Sequence, residues 1–195
     1  DGRTSIHVES ALERDFAVLA LFDPTVVSIE AQPVRSDCFS ESGRPSRYVP
    51  DFLIQRATNS ELIEVKYEAD IVEWRAKRHS AVAAARRYCA DRGWIFRIVT
   101  EDEIRTPKLQ NVHFLLPSRR QQIDPVQADE IIARITTSPG ISIGDLIEQT
   151  WLDPALRSAG ITTLWTALAQ SRVRVDLDAP LTNQTQLFAK EEEMP

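Results

Sequence analysis

Apolar positions change their period several times along the chain, and each change predicts an element. Leu12, Phe16 and Leu19 recur at helical spacing within residues 9–22, which predicts an amphipathic helix that stops at Pro24. Runs rich in β-branched and apolar residues then predict three strands, over residues 25–34, 47–55 and 61–67. The polar segment between the first two strands, residues 36–46, reads as a turn region.

A second helix, a fourth strand and a third helix are predicted next. Residues 71–92 are rich in alanine and arginine and read as one long helix, with Gly93 as its C-terminal cap. The apolar run over residues 94–100 predicts a strand, and residues 100–103 resemble a capping box that opens a short helix. This order predicts an α/β fold in which a mixed sheet lies between helices.

The last third of the chain has a different pattern. A composition shift at residues 117–122 predicts a boundary, so that a first domain spans residues 1–118. Three helices, over residues 125–136, 142–151 and 161–171, precede two short strand-like segments around residues 173–177 and 186–188. That order predicts a small winged-helix-like α+β domain over residues 119–189, followed by a flexible tail over residues 190–195.

Charge changes this picture because the overall net charge of −6 conceals a basic middle. Residues 71–120 carry 11 Lys and Arg against 5 Asp and Glu, whereas both flanking segments are acidic. A basic segment of this kind either binds phosphates or simply forms a solvated surface. The candidate phosphate contacts are Arg75, Lys77, Arg78, Arg86 and Arg87. No apolar run is long enough to span a membrane and no leader pattern is visible, so a cytoplasmic location is expected.

Candidate chemistry lies in the second and third predicted strands. Asp51 follows Pro50 in one strand, while Glu64 and Lys66 are two residues apart in the next and therefore face the same side. Two carboxylates suit Mg²⁺, which activates water for phosphodiester hydrolysis, and a lysine can orient that water. This spacing also occurs by chance, and a structural ion pair at the sheet edge is the alternative. Glu13, on the first helix, is a candidate third acid or else a solvated carboxylate.

These motifs resemble one family over roughly residues 8–116. The matching pieces are Ser10-Ala11-Leu12-Glu13, Gln32-Pro33, Tyr48-Val49-Pro50-Asp51-Phe52-Leu53, Ile63-Glu64-Val65-Lys66, and Ile98 to Ile104 followed by Asn111. In this order they resemble the TnsA endonuclease subunit of heteromeric transposases. The resemblance implies a restriction-endonuclease-like PD-(D/E)xK fold that cuts the 5′ ends of a transposon, while a partner transposase processes the 3′ ends.

Carried over by position, the resemblance makes Glu13, Asp51 and Lys66 catalytic, with Glu64 at a place where the family has glutamine or glutamate. Glu13, Asp51 and Glu64 are then the expected ligands of Mg²⁺, for which Mn²⁺ is expected to substitute. Gln32 matches a recurrent glutamine, to which we assign a supporting role behind the metal ligands. The family also carries a C-terminal winged-helix-like domain that contacts partner proteins.

Three functions follow from this sequence. The first is an endonuclease of a transposition complex, which binds double-stranded transposon ends, a DDE-type transposase and an AAA+ ATPase, has no membrane partner and associates with the bacterial nucleoid when active. The second is a stand-alone nuclease of the same fold that acts in defence or repair. The third is a non-catalytic adaptor that binds a transposase or ATPase through its winged helix.

Overall fold

The computed structural model describes residues 6–33, 36–39 and 45–190 of the 195-residue chain. The chain divides into two compact units, Asp1–Arg105 and Thr106–Pro195. The boundary predicted near residue 118 therefore falls inside the second unit, where helix Pro107–Leu115 packs against a later helix, Pro154–Ala169. No helix in the described parts of the chain is both long and apolar enough to cross a bilayer.

The first unit is built on a four-stranded mixed sheet. Its described elements are α1 (Ala11–Phe22), β1 (Val26–Ala31), β2 (Ser36–Phe39), β3 (Pro45–Tyr48), β4 (Phe52–Arg56), β5 (Ser60–Val65), α2 (Glu68–Lys77), α3 (His79–Ala90), β6 (Ile95–Val99) and α4 (Glu101–Ile104). The sheet order is β1-β4-β5-β6, in which β5 and β6 are parallel and the other pairs are antiparallel. The predicted mixed sheet flanked by helices is confirmed.

Each face of this sheet buries its own apolar cluster, because successive side chains of a strand point to opposite faces. On one face, Phe52 and Ile63 pack with Leu12 of α1. On the other face, Leu53 and Leu62 pack with alanines of α3. By the same alternation, Glu64 and Lys66 lie on the face of Leu62, and Asp51 lies on the face of Leu53. The three candidate side chains therefore share the α3 face.

Three elements differ from the prediction. The strand predicted over residues 47–55 is divided between β3 and β4, with residues 49–51 in neither. The described parts of residues 36–46 are not only a turn region, since Ser36–Phe39 and Pro45–Tyr48 pair as an antiparallel hairpin; the residues between these strands, 40–44, lie outside the described residues. The long helix predicted over residues 71–92 is two helices, which meet at Arg78 with φ −119° and ψ 22°. Neither proline nor glycine marks that break, so helical periodicity alone could not find it.

The second unit consists mainly of helices. Its described elements are α5 (Pro107–Leu115), a 3₁₀ helix (Leu116–Arg120), α6 (Pro125–Thr137), α7 (Ile143–Thr150), α8 (Pro154–Ala169), β7 (Val173–Arg174) and β8 (Phe188–Ala189). The last two strands pair antiparallel. Three helices followed by a short hairpin agree with the predicted order of elements, while the winged-helix interpretation stays a prediction. The predicted tail beyond residue 190 lies outside the described residues.

Candidate active site

The candidate acids converge where β4 and β5 pair. Phe52 lies opposite Ile63 in this antiparallel ladder, and continuing the register by one residue places Asp51 across from Glu64. The Asp51 carboxylate accepts a hydrogen bond from the Val65 backbone N–H at 2.7 Å, which fixes it against β5. The loop before β4 thus delivers one carboxylate to the end of β5, and β5 supplies the other.

Lys66 joins the two carboxylates. Its Nζ lies 2.7 Å from Oε1 of Glu64 and 3.6 Å from Oδ2 of Asp51, and it also donates to the Val65 carbonyl at 2.9 Å. The Trp74 ring of α2 borders the ammonium group at 5.7 Å. The backbone N–H of Lys66 donates to the Val99 carbonyl of β6 at 3.1 Å, which continues the parallel pairing of β5 and β6 past Val65. The predicted cluster of two acids and one lysine is therefore present as a compact group.

Burial disfavours the charged forms of these three side chains. Glu64 is only 3% exposed. Burial, the charge of Glu64 and the charge of Glu13 raise the pKa of Asp51 to about 7, against the opposing effects of Lys66 and the Val65 N–H. Burial also disfavours the charged form of Lys66, but the carboxylates of Glu64 and Asp51 outweigh it, so the pKa of Lys66 is raised and the ammonium form persists. A carboxyl group with a pKa near neutrality, beside a charged lysine, is typical of a functional site.

Asp51 and Glu64 offer the hard carboxylate oxygens that Mg²⁺ prefers, and Mg²⁺ commonly takes one or two carboxylates together with water and substrate phosphate. The raised pKa of Asp51 points the same way, because a bound cation would relieve the crowding of negative charge. The two residues therefore fit such an ion. Within the described ranges, no group of three or more His, Cys, Asp or Glu side chains is arranged to hold a metal.

Glu13, the third predicted ligand, has another role in this structure. Its carboxylate accepts hydrogen bonds from the Glu9 backbone N–H at 2.8 Å and the Ser10 hydroxyl at 2.9 Å, while Ser10 Oγ accepts from the Glu13 N–H. This is a capping box at the start of α1. Its charge is nevertheless close enough to raise the pKa of Asp51. A direct role for Glu13 in metal binding stays a prediction.

Gln32 connects this helix start to the sheet. Its side-chain amide donates to Glu9 at 2.7 Å, and its backbone N–H donates to the Asp51 carbonyl at 2.9 Å. Its φ of 51° lies in the left-handed region, which is costly for a non-glycine residue and occurs where surrounding contacts enforce it. Gln32 thus contacts Glu9 through its side chain and Asp51 through its backbone, and its supporting role behind the metal ligands stays a prediction.

The five candidate phosphate contacts are all exposed and lie on or between α2 and α3. The charge of Arg78 acts on the site, because it lowers the pKa of the buried Tyr48 against the raising effects of burial and Glu64. Lys77 pairs with Glu73 on the helix surface. The structure therefore places a basic surface on the helices that border the site, and its contact with nucleic acid stays a prediction.

Tyr48 is a site residue that the sequence did not single out. Its hydroxyl donates to Oε2 of Glu64 at 2.6 Å, so both Glu64 oxygens are engaged. Tyr48 lies at the end of β3, inside the segment that was interpreted as a strand and its preceding turn. Its position three residues before Asp51, within the same motif, was the one available signal.

Two carboxylates and a lysine at the ends of neighbouring strands of a mixed sheet make the first unit compatible with a nuclease fold of the PD…ExK class. The family model described as "TnsA-like endonuclease N terminal" matches residues 23–101, which confirms the family resemblance seen in the motifs. The match contains Asp51, Glu64 and Lys66, begins after Glu13 and leaves the second unit uncovered. No curated protein matches the chain. The family match supports a nuclease associated with a transposase.

Proposed function

We propose that this protein is a Mg²⁺-dependent endonuclease of a transposition complex, which hydrolyses phosphodiester bonds at the 5′ ends of the transposon in concert with a DDE-type transposase. The observation that carries the proposal is the convergence of Asp51, Glu64 and Lys66 within a region similar to TnsA-like endonucleases. The charged groups of a surface ion pair are exposed to water, whereas Glu64 is buried here and the side chains of Asp51 and Lys66 are at most one quarter exposed.

In this proposal each residue has a distinct task. Asp51 and Glu64 hold Mg²⁺, which when bound supplies a nucleophilic water and stabilises charge on the phosphate. Lys66 orients the water and offsets the negative charge that develops on the scissile phosphate. Glu13 contributes a further negative charge at this edge of the site, and Gln32 keeps the Asp51 backbone in place.

The exposed cations of α2 and α3 hold the DNA in this proposal. Phosphate contacts position a duplex without reading its sequence, and they suit a surface of exposed cations. The net negative charge of the whole chain favours delivery of DNA by a partner over strong independent binding. We assign that delivery to the transposase and its AAA+ ATPase, and we assign contact with them to the second unit.

The test is a strand-specific nicking assay. The full chain and its proposed DDE-type transposase partner are incubated with Mg²⁺ and a transposon-end duplex labelled on one strand or the other. We expect 5′-end nicks that disappear with Asp51→Ala and with Lys66→Ala. Asp102→Asn and Lys108→Ala, which alter an exposed acid and a partly exposed lysine outside the site, should cut normally.

The other two functions give different results in the same assay. Cutting that is unaffected by removal of the transposase would indicate a stand-alone nuclease. An adaptor would cut in no condition and, in calorimetry with Mn²⁺, would show no binding that Asp51→Asn abolishes. Full cleavage by Asp51→Ala or Lys66→Ala would contradict the assignment of the site itself.

A further inference from the structure

The phenol of Tyr48 is buried beside the most buried carboxylate of the candidate site. Tyr48 is 5% exposed and Glu64 is 3% exposed, and the hydroxyl donates to Glu64 Oε2 at 2.6 Å. The other oxygen, Oε1, accepts from Lys66 at 2.7 Å. One oxygen of Glu64 is therefore held by a neutral donor, and the other contacts the lysine, which also lies near Asp51.

The Tyr48 ring is held firmly enough to orient its partner. It packs in the apolar cluster with Leu53 and Leu62 of the sheet and with small residues of α3. Trp74 contacts it with a centroid separation of 6.5 Å, and the same Trp74 ring borders Lys66. A side chain locked by packing on several sides can fix the rotamer of the carboxylate to which it donates.

The hydroxyl of Tyr48 also remains a donor. Burial, together with the negative charge of Glu64, raises the pKa of Tyr48 above its ordinary value, which agrees with a hydroxyl that donates to Glu64. The contribution of Tyr48 is geometric.

We propose that Tyr48 is a positioning residue of the cleavage site: its hydroxyl holds Oε2 of Glu64, leaves Oε1 beside Lys66, and so orients the carboxylate that, with Asp51, would hold a divalent cation. This inference rests on the proposed function, because it concerns the same cation. The chain arrangement supports it: only Val49 and Pro50 separate Tyr48 from Asp51, so one short segment both fixes Glu64 and delivers the second carboxylate.

The experiment measures Mn²⁺ affinity of the full chain by calorimetry, without DNA. Tyr48→Phe removes one hydroxyl and leaves the ring, and we expect it to weaken Mn²⁺ binding 10- to 100-fold, as loss of a ligand's hydrogen-bond partner does elsewhere. The matched control is Tyr88→Phe, since the contacts shown for Tyr88 are those of its ring and backbone, with Trp94 and Arg92. That variant should bind Mn²⁺ like the wild type.

A double-mutant cycle separates positioning from a general effect on the fold. If Tyr48 acts through Glu64, then Tyr48→Phe should cause little further loss in the Glu64→Gln background. In the nicking assay, Tyr48→Phe should raise the Mg²⁺ concentration that gives half-maximal rate and recover most of the rate at saturating Mg²⁺. A purely structural role would lower the rate at every Mg²⁺ concentration.

A second measurement needs no substitution at Tyr48, in case Tyr48→Phe does not fold. The chain has three tyrosines, so ¹⁹F NMR of protein labelled with 3-fluorotyrosine gives few signals, which Tyr67→Phe and Tyr88→Phe assign. We expect Mg²⁺ to shift the Tyr48 signal and to leave that of Tyr88 in place.

The outcomes distinguish this inference from the proposed function. Normal Mn²⁺ affinity in Tyr48→Phe, equal losses in both backgrounds of the cycle, or an unshifted Tyr48 signal in a protein that binds Mg²⁺ overturns the role of Tyr48 alone. Absence of cation binding and of cleavage in the wild type overturns the proposed function, and the role of Tyr48 with it.

Discussion

At the scale of single residues, the folded protein disfavours the ionised form of Asp51. Its pKa is raised to about 7 from an ordinary value of 3.8, chiefly by burial and by Glu64. Between these two pH values the folded protein therefore holds a proton that the unfolded chain has released. By linkage, the free energy of unfolding contains a contribution that is present at acid pH and is lost as pH rises towards 7.

Asp51→Asn should remove this dependence, because the amide is neutral and its oxygen can still accept from the Val65 N–H. We expect the variant to be more stable than the wild type at pH 8 by about 1–3 kcal/mol and nearly equal to it at pH 4. Urea unfolding at both pH values, followed by circular dichroism, measures the difference. Asp102→Asn is the exposed control. A wild type more stable than Asp51→Asn at pH 8 would contradict the raised pKa of Asp51.

The same residues indicate how far sequence alone could go. Asp51, Glu64 and Lys66 were found because alternation in a strand fixes which side chains share a face. Tyr48 was not found, because its role depends on a contact with Glu64 that spans 16 positions, and because β3, which carries it, was divided between a predicted turn and a predicted strand. The left-handed backbone of Gln32 was equally invisible, since tertiary contacts enforce it and no local pattern encodes it.

At the scale of elements, helix α1 combines a structural and a candidate catalytic task in one side chain. Glu13 closes the capping box with Ser10 and Glu9, and it also adds negative charge near Asp51. Glutamine at this position can still close a capping box but carries no charge. The two tasks can therefore be separated by one substitution.

We expect Glu13→Gln to keep its thermal midpoint close to that of the wild type and to lose most of its cleavage if the carboxylate is catalytic. Glu13→Ala should lose cleavage and also about 1 kcal/mol of stability, because the cap is broken. Ser10→Ala is the control for the cap alone. Thermal unfolding and the nicking assay, run on all three variants, decide the matter; normal cutting by Glu13→Gln would leave Glu13 with its capping role only.

In the second unit, helix α8 packs closely against Trp151 at Gly160. A Cβ added at Gly160 of α8 would lie 2.2–2.6 Å from ring atoms of Trp151, so the buried indole would have to move. Gly160→Ala should therefore destabilise this unit by about 1–3 kcal/mol, as overpacking typically does. Thermal unfolding measures the loss, with Ser158→Ala on the exposed part of the same helix as the control. An unchanged midpoint would show that Trp151 can move without cost.

At the scale of the whole molecule, the distribution of charge determines how this chain can meet DNA. Its net charge is −6, yet α2 and α3, which border the candidate site, expose a group of cations. Sequence counting located this basic segment correctly but could not say that it lies beside the acids, because that depends on α3 packing over the face of Leu53 and Leu62.

If these helices contact phosphates, a variant that lacks some of their cations should release fewer counterions when it binds DNA. Its affinity for DNA should then depend less on salt concentration. Replacing Arg86 and Arg87 with glutamine should lower the slope of log K against log salt by about 2, since each lost phosphate contact contributes about 0.9. The loss should be the same for transposon-end and unrelated duplexes, because phosphates carry no sequence. Fluorescence anisotropy over a salt series measures both quantities, on the full chain with its transposase.

The matched control replaces Arg134 and Arg172, two exposed cations of the second unit, and should leave the slope unchanged. An equal change in both double variants would mean that the basic face of α2 and α3 has no special part in holding DNA.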